Sequence, residues 1–157
     1  MKYLNRVVLA CGLIAVLSLV LIPGCNPVPG GLQGELNTAR AKWQKANIDD
    51  YSFRLRVGCF CPPEIVLPVI IKVENGIAIS KGYTQEPKEV ATPYFDRVET
   101  VDKLFGIIQD AIDTGADSLI VEYDAAYGYP KSIQIDPIKE AIDEEVAYFI
   151  ELFTPVR

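Results

Sequence analysis

The sequence predicts an α+β domain in which two helices pack on one face of a largely antiparallel sheet of about six strands, in the order helix-βββ-helix-βββ. Three patterns carry this reading. Tyr51, Phe53, Leu55, Val57, Cys59 and Cys61 share one parity and Ser52, Arg54 and Arg56 the other, which marks a half-buried strand. Leu36, Ala39, Trp43 and Ala46 recur at helical spacing, as do Val101, Leu104, Phe105, Ile108, Ala111 and Ile112, giving two amphipathic helices. Asn75-Gly76 lies between alternating segments and reads as a type I′ hairpin, because both central positions of that turn need positive φ.

Taken in order, the first helix is predicted from about Glu35 to Asn47, with Trp43 as its core anchor. Asn47 and Asp49-Asp50 end it and turn the chain into the strand at Tyr51. Pro62-Pro63 stops that strand, since neither proline offers an N–H. A second strand is predicted from about Glu64 to Glu74, with Pro68 marking an edge or bulge, and a third from Ile77 to Lys81. Gly82 to Arg97 is polar and punctuated by proline, the composition of a mobile surface loop; it carries Tyr83, Tyr94 and Phe95. Thr100 caps the second helix and Gly115 closes it. Strands follow at Ser118 to Asp124 and Lys131 to Asp136. The last segment fits two patterns. Val146, Tyr148, Ile150 and Leu152 alternate as in a strand, whereas Val146, Phe149, Ile150 and Phe153 form a helical stripe. The β-branched and aromatic content and the unpaired edge of the preceding hairpin favour a strand.

The N-terminus has a different character. Met1, Lys2 and Arg6 make a short basic start, and Val7 to Ile22 is almost wholly apolar before Pro23-Gly24-Cys25. The run falls short of the roughly 20 apolar residues of a spanning helix and reads as a signal-peptide core. Ile-Pro-Gly-Cys resembles the cleavage box of bacterial lipoproteins, with Ile22 where leucine is usual and Pro23 where a smaller residue is commoner. That resemblance implies lipid (palmitate among the acyl chains) on the sulfur and amine of Cys25. The alternative, an ordinary secretory signal, also exports the protein. The organisation expected is therefore a signal peptide at 1–24, a lipidated tether at 25–34 rich in Pro and Gly, and one domain at 35–157. Asn26 after the acylated cysteine favours the outer membrane in a two-membrane bacterium; otherwise the site is the outer face of the cell membrane.

Composition excludes several functions. Removing Lys2 and Arg6 from 15 basic residues leaves 13 against 21 acidic, a net charge near −8, so nucleic acid is disfavoured as a partner. There is no histidine, which removes His-containing triads and imidazole metal sites. Asp110, Asp113 and Asp117 lack the spacing of a calcium loop, and neither a metal site nor a cofactor is expected. Cys59 and Cys61 are the remaining thiols of the domain. In an extended strand their Cα atoms would lie about 6.5 Å apart, near the upper limit for a bridge. Three states stay open: a local disulfide, two buried or alternately paired thiols, and a redox or soft-metal site. In Tyr123-Asp124-Ala125-Ala126-Tyr127-Gly128-Tyr129-Pro130, Asp124 can bond turn amides, and Tyr127 and Tyr129 are either packing groups or contact residues.

As a set, Trp43, Tyr51-Ser52-Phe53, Cys59-Phe60-Cys61, Val73-Glu74-Asn75-Gly76, Val121-Glu122-Tyr123-Asp124, Tyr129-Pro130 and Ile135-Asp136 resemble a family of small bacterial exported lipoproteins of the unknown-function type, over residues 40–153. The resemblance implies an envelope protein and a final strand; it carries no catalytic residue onto this chain. In outline the order of elements is similar to cystatin-like and β-lactamase-inhibitor-like modules, which implies architecture alone. The expected function is a non-enzymatic envelope module with Tyr83, Tyr94, Tyr127 and Tyr129 as contact residues for an envelope protein or peptide. The alternatives are a thiol–disulfide or soft-metal module at Cys59 and Cys61, and a small-ligand-binding domain. Oligomeric state is not legible.

Overall fold

The computed structural model describes residues 30–85 and 88–156; the expected signal peptide and the expected lipidation site Cys25 lie outside them. Helix α1 spans Gly31–Ala46, so it begins four residues before the expected Glu35 and takes Gly31 to Gly34 from the stretch read as tether. Glycine is a poor helix former, and here a tertiary contact outweighs propensity. Gln33 and Gln109 exchange side-chain hydrogen bonds at 2.9 and 3.0 Å, holding the first turn against the second long helix.

β1, Tyr51–Gly58, alternates buried and half-buried along its whole length, as its parity predicts. The next element corrects the sequence reading. Pro63–Val66 is a single helical turn, α2, rather than the start of a strand. Pro63 stands at its first position, where the missing N–H needs no partner and the fixed φ suits a helix. β2 therefore begins after Pro68, at Val69–Glu74, and Asn75 and Gly76 (φ 51° and 74°) lead into β3, Ile77–Tyr83.

The segment after β3 is also more ordered than its composition suggests. It folds back on the strand through Tyr83 N–H to Lys88 O and Val90 N–H to Lys81 O, both 3.1 Å. A 3-10 turn at Pro93–Arg97 then buries Phe95 completely. The long helix α3, Val101–Thr114, is capped by Thr100, whose hydroxyl accepts from Lys103 N–H at 3.2 Å. β4 (Ser118–Tyr123), β5 (Pro130–Asp136) and β6 (Val146–Pro155) complete an antiparallel sheet of order β3-β2-β1-β6-β5-β4. The fold is α+β, with α1 and α3 against this six-stranded sheet; Leu36, Leu55, Leu104 and Phe105 are fully buried within it.

The final strand forms as expected, but not with the expected face. Ser52 pairs with Thr154 while Arg54 pairs with Glu151, so two residues of β6 oppose one of β1. Leu152 sits in this bulge at φ 52° and is 68% exposed, although its parity with Tyr148 and Ile150 predicts burial. A bulge reverses the parity beyond it. Phe153 thereby turns inward, stacking on Tyr129 at 4.3 Å between centroids and meeting Tyr51 at 5.4 Å and Trp43 at 5.9 Å.

The bulge makes a prediction opposite to that of simple alternation. Phe153→Ala should destabilise the domain by about 3 kcal/mol. Leu152→Asn, which tolerates the left-handed backbone, should change stability by no more than about 0.5 kcal/mol. Urea unfolding of both variants checks this; the reverse ranking would remove the bulge.

Candidate functional site

Where β1 ends, Gly58 leads directly into a disulfide between Cys59 and Cys61, whose Cα atoms are 5.2 Å apart. The extended spacing has been shortened by the bend that follows β1. Both cysteines are half-buried, with Cys59 packed against the edge of the core, while Phe60 between them is 82% exposed. Of the states the sequence left open, the local bridge is the one present. Among the described residues no group of three or more His, Cys, Asp or Glu side chains is placed to hold a metal ion.

Chain entropy gives this bridge little structural weight. Closing a loop of three residues restrains the unfolded chain by about 1.6 kcal/mol, against about 4.7 for a loop of 100. Its effect is local, fixing the passage from β1 into α2.

The four tyrosines singled out in the sequence are not brought onto one surface. The Tyr83 hydroxyl donates to Glu64 O at 3.0 Å, tying β3 to α2. The Tyr94 hydroxyl meets the buried Tyr148 hydroxyl at 3.3 Å, and burial pushes its pKa far above the usual tyrosine value. Tyr129 is 9% exposed beneath Phe153, and Tyr127 leans on the same ring at 6.2 Å. The Asp124 side chain organises their turn, accepting from Ala126 and Tyr127 N–H at 2.9 and 2.6 Å. Gly128 (φ 83°) brings that turn so close to α1 that an added Cβ would lie 2.5 Å from Ala39 O and 2.9 Å from Lys42 Cβ. These residues dock a hairpin on a helix. Tyr127 also borders a groove of about 800 Å³, whose rim carries Lys45, Asp49 and Asp50, and Tyr83 borders a smaller one of about 490 Å³ beside α2. The larger groove lies outside the layer between helices and sheet, the place expected for a small-ligand cavity.

Two charged clusters were not anticipated, because each is assembled across strands. On the open face of the sheet, Glu151 receives Arg54 at 2.6 Å and Arg56 at 3.3 Å, and Arg56 also lies over the Phe149 ring at 4.0 Å. On the other side, Lys81 bonds Asp96 and Glu99, and Lys103 bonds Glu99 at 2.7 Å. Burial alone would push Glu99 up, but the hydrogen bonds from Lys103 and Lys81 outweigh it and hold the carboxyl below its ordinary 4.5. Every member has an opposite charge, and the cluster ties β3 and the 3-10 turn to α3.

With this geometry in place the chain can be compared with known proteins. A model of a family of unknown function (DUF6174) matches residues 35–155. The chain belongs to that family. No curated protein and no solved structure matches the chain. The DUF6174 domain and the observed core coincide, since the match ends at the last residue of β6 and begins within α1.

Two outcomes test these assignments. Gly128→Ala should lower stability by about 2–4 kcal/mol in urea unfolding, because it adds both backbone strain and a clash. Glu99→Gln should lower stability at pH 7 by roughly 1 kcal/mol. A depressed carboxyl pKa stabilises the folded state above its unfolded value of 4.5, and that contribution is lost as pH falls through the folded value. The gap between wild type and Glu99→Gln should therefore close in acid below pH 4.5. A gap unchanged there would deny the carboxylate's role.

Proposed function

We propose that this DUF6174 chain is an exported envelope protein anchored through lipid on Cys25, and that its working group is the Cys59–Cys61 disulfide, acting as a reversible thiol–disulfide module. The observation that carries the reading is a half-buried bridge closed across one residue, the 82% exposed Phe60, at the end of β1 and at the edge of the core. Disulfides open to solvent are more labile than buried structural ones, and this one is only partly covered. Export supports the same reading, because disulfides persist in oxidising compartments.

The exchange balances as follows. A thiolate of a partner dithiol attacks one sulfur of the bridge, and the other sulfur leaves as a thiolate and takes a proton. The partner's second thiol then resolves the mixed disulfide. The partner becomes oxidised by two electrons, and Cys59 and Cys61 become a dithiol. The chain has no histidine, and no lysine neighbours Cys59 or Cys61 in sequence, so the reading is of a stoichiometric redox group. A second reading, a non-enzymatic contact module, draws support from the groove beside Tyr127. Crosslinking from that groove in the intact envelope would favour it.

Equilibration of the folded protein with dithiothreitol and glutathione buffers, read by alkylation and mass, tests the proposal. The bridge should show a potential above about −300 mV, and the lone Cys59 thiolate of Cys61→Ser should attack glutathione disulfide, releasing glutathione and leaving a trapped mixed disulfide. A bridge that stays oxidised under stronger reduction would overturn it. The mass of the mature N-terminal peptide independently tests acylation of Cys25.

A further inference from the structure

The lipid-anchor reading has a geometric consequence for the domain. Cys25 precedes Gly30, the first described residue, by five positions, and a fully extended chain of that length spans at most about 18 Å. The start of α1 is thus held near any bilayer that receives the lipid, whatever path the intervening residues take. α1 runs back along the sheet: its C-terminal end turns through Asn47 to Asp50 into the start of β1, so its N-terminal end lies level with the end of β1. Contacts with α3 agree, because Gln33 bonds Gln109 near the C-terminus of α3, and α3 leads through Gly115 to the start of β4. Ser118 there pairs with Asp136, and Gly58 pairs with Ala147 at the start of β6. One end of the sheet therefore collects the start of α1, the Cys59–Cys61 turn, α2 and the β5–β6 connection.

That end carries much of the molecule's exposed apolar surface. Phe60 is 82% exposed, Ile142 84%, Ile138 54%, Leu32 45% and Val66 36%. At the opposite end, Lys42, Lys45, Asn47, Asp49 and Asp50 line the groove described above. We infer that this end of the domain is a bilayer-contacting surface, with Phe60, Ile138 and Ile142 entering the interfacial layer of a membrane that the Cys25 lipid holds against it. Apolar side chains on short loops add to a single lipid anchor in the way a second anchoring signal does. Charge selects the lipid. Residues 136–145 hold Asp136, Glu140, Asp143, Glu144 and Glu145 against Lys139 alone, so the surface suits neutral headgroups and is repelled by anionic ones. The inference rests on the lipid-anchor half of the proposed function and not on its redox half.

Tryptophan quenching by brominated phosphatidylcholine tests it on the mature, lipidated chain in neutral vesicles. Trp43 is buried and serves as an internal baseline. Phe60→Trp and Ile142→Trp should each lose emission in brominated vesicles, whereas Ile77→Trp, on the hairpin at the other end and 68% exposed in the parent, should not. Raising the anionic lipid fraction should diminish the loss at Ile142→Trp. Protein that sediments with vesicles but shows equal quenching at all three positions, or the greatest at Ile77→Trp, overturns the docking surface while leaving the anchor intact. Mature protein recovered from the envelope with no lipid on Cys25, and not sedimenting with vesicles, overturns both.

Discussion

The pairing of β1 with β6 is the constraint on which the rest of the structure depends. It joins the first helix-βββ unit to the second, and without it the order β3-β2-β1 and the order β6-β5-β4 would be two three-stranded sheets, each with a large exposed edge. The bulge within this pairing turns Phe153 into the interior, where it meets Trp43 of α1, Tyr51 of β1 and the two tyrosines of the β4–β5 turn. One side chain of β6 thus meets three other elements, α1, β1 and the β4–β5 turn. Tyr51 extends the arrangement to α3, since its hydroxyl accepts from Val101 N–H at 3.0 Å; burial pushes that hydroxyl's pKa up to about 12, so it stays protonated at neutral pH.

Against that frame the Cys59–Cys61 bridge is peripheral. The strand that leads to it is the most thoroughly buried in the sheet, yet the bridge itself begins where strand pairing ends. The core closes through Phe95, Leu104, Phe105 and their neighbours, with Cys59 packed at its edge. β1 thus ends in a half-buried disulfide, held at a fixed point of the sheet by the pairing of that strand. The start of α1 lies at the same end of the sheet, so the proposed lipid anchor and the proposed redox group would share it.

Much of the fold was legible because period and turn chemistry are local signals. The parity of Tyr51 to Val57, the Thr100 and Gly115 caps, the Asn75-Gly76 turn and the Asp124 turn all act over a few residues, and the structure has each of them. The misreadings arose where tertiary contacts decide. Gly31 to Gly34 is helical because Gln33 finds Gln109, and residues 88–90 lie along β3 through backbone bonds that no side-chain pattern announces. The bulge at Leu152 is set by β1 and by the aromatic cluster, so alternation selected the wrong inward residue. For the site, the sequence supplied the two cysteines but not their state, which depends on a bend after Gly58 that the pattern of an extended strand does not contain. It proposed four tyrosines as contacts, and the folded chain uses most of their surface for its own packing.

The central claim, that the bridge is a chemical group carried by a fold that does not need it, is tested most directly by equilibrium unfolding of the oxidised and the fully reduced protein side by side. The account predicts that the reduced domain folds cooperatively, keeps the near-ultraviolet signal of the Trp43–Phe153 cluster, and loses no more than about 1–2 kcal/mol. Unfolding on reduction, or a loss well beyond that range, would contradict it.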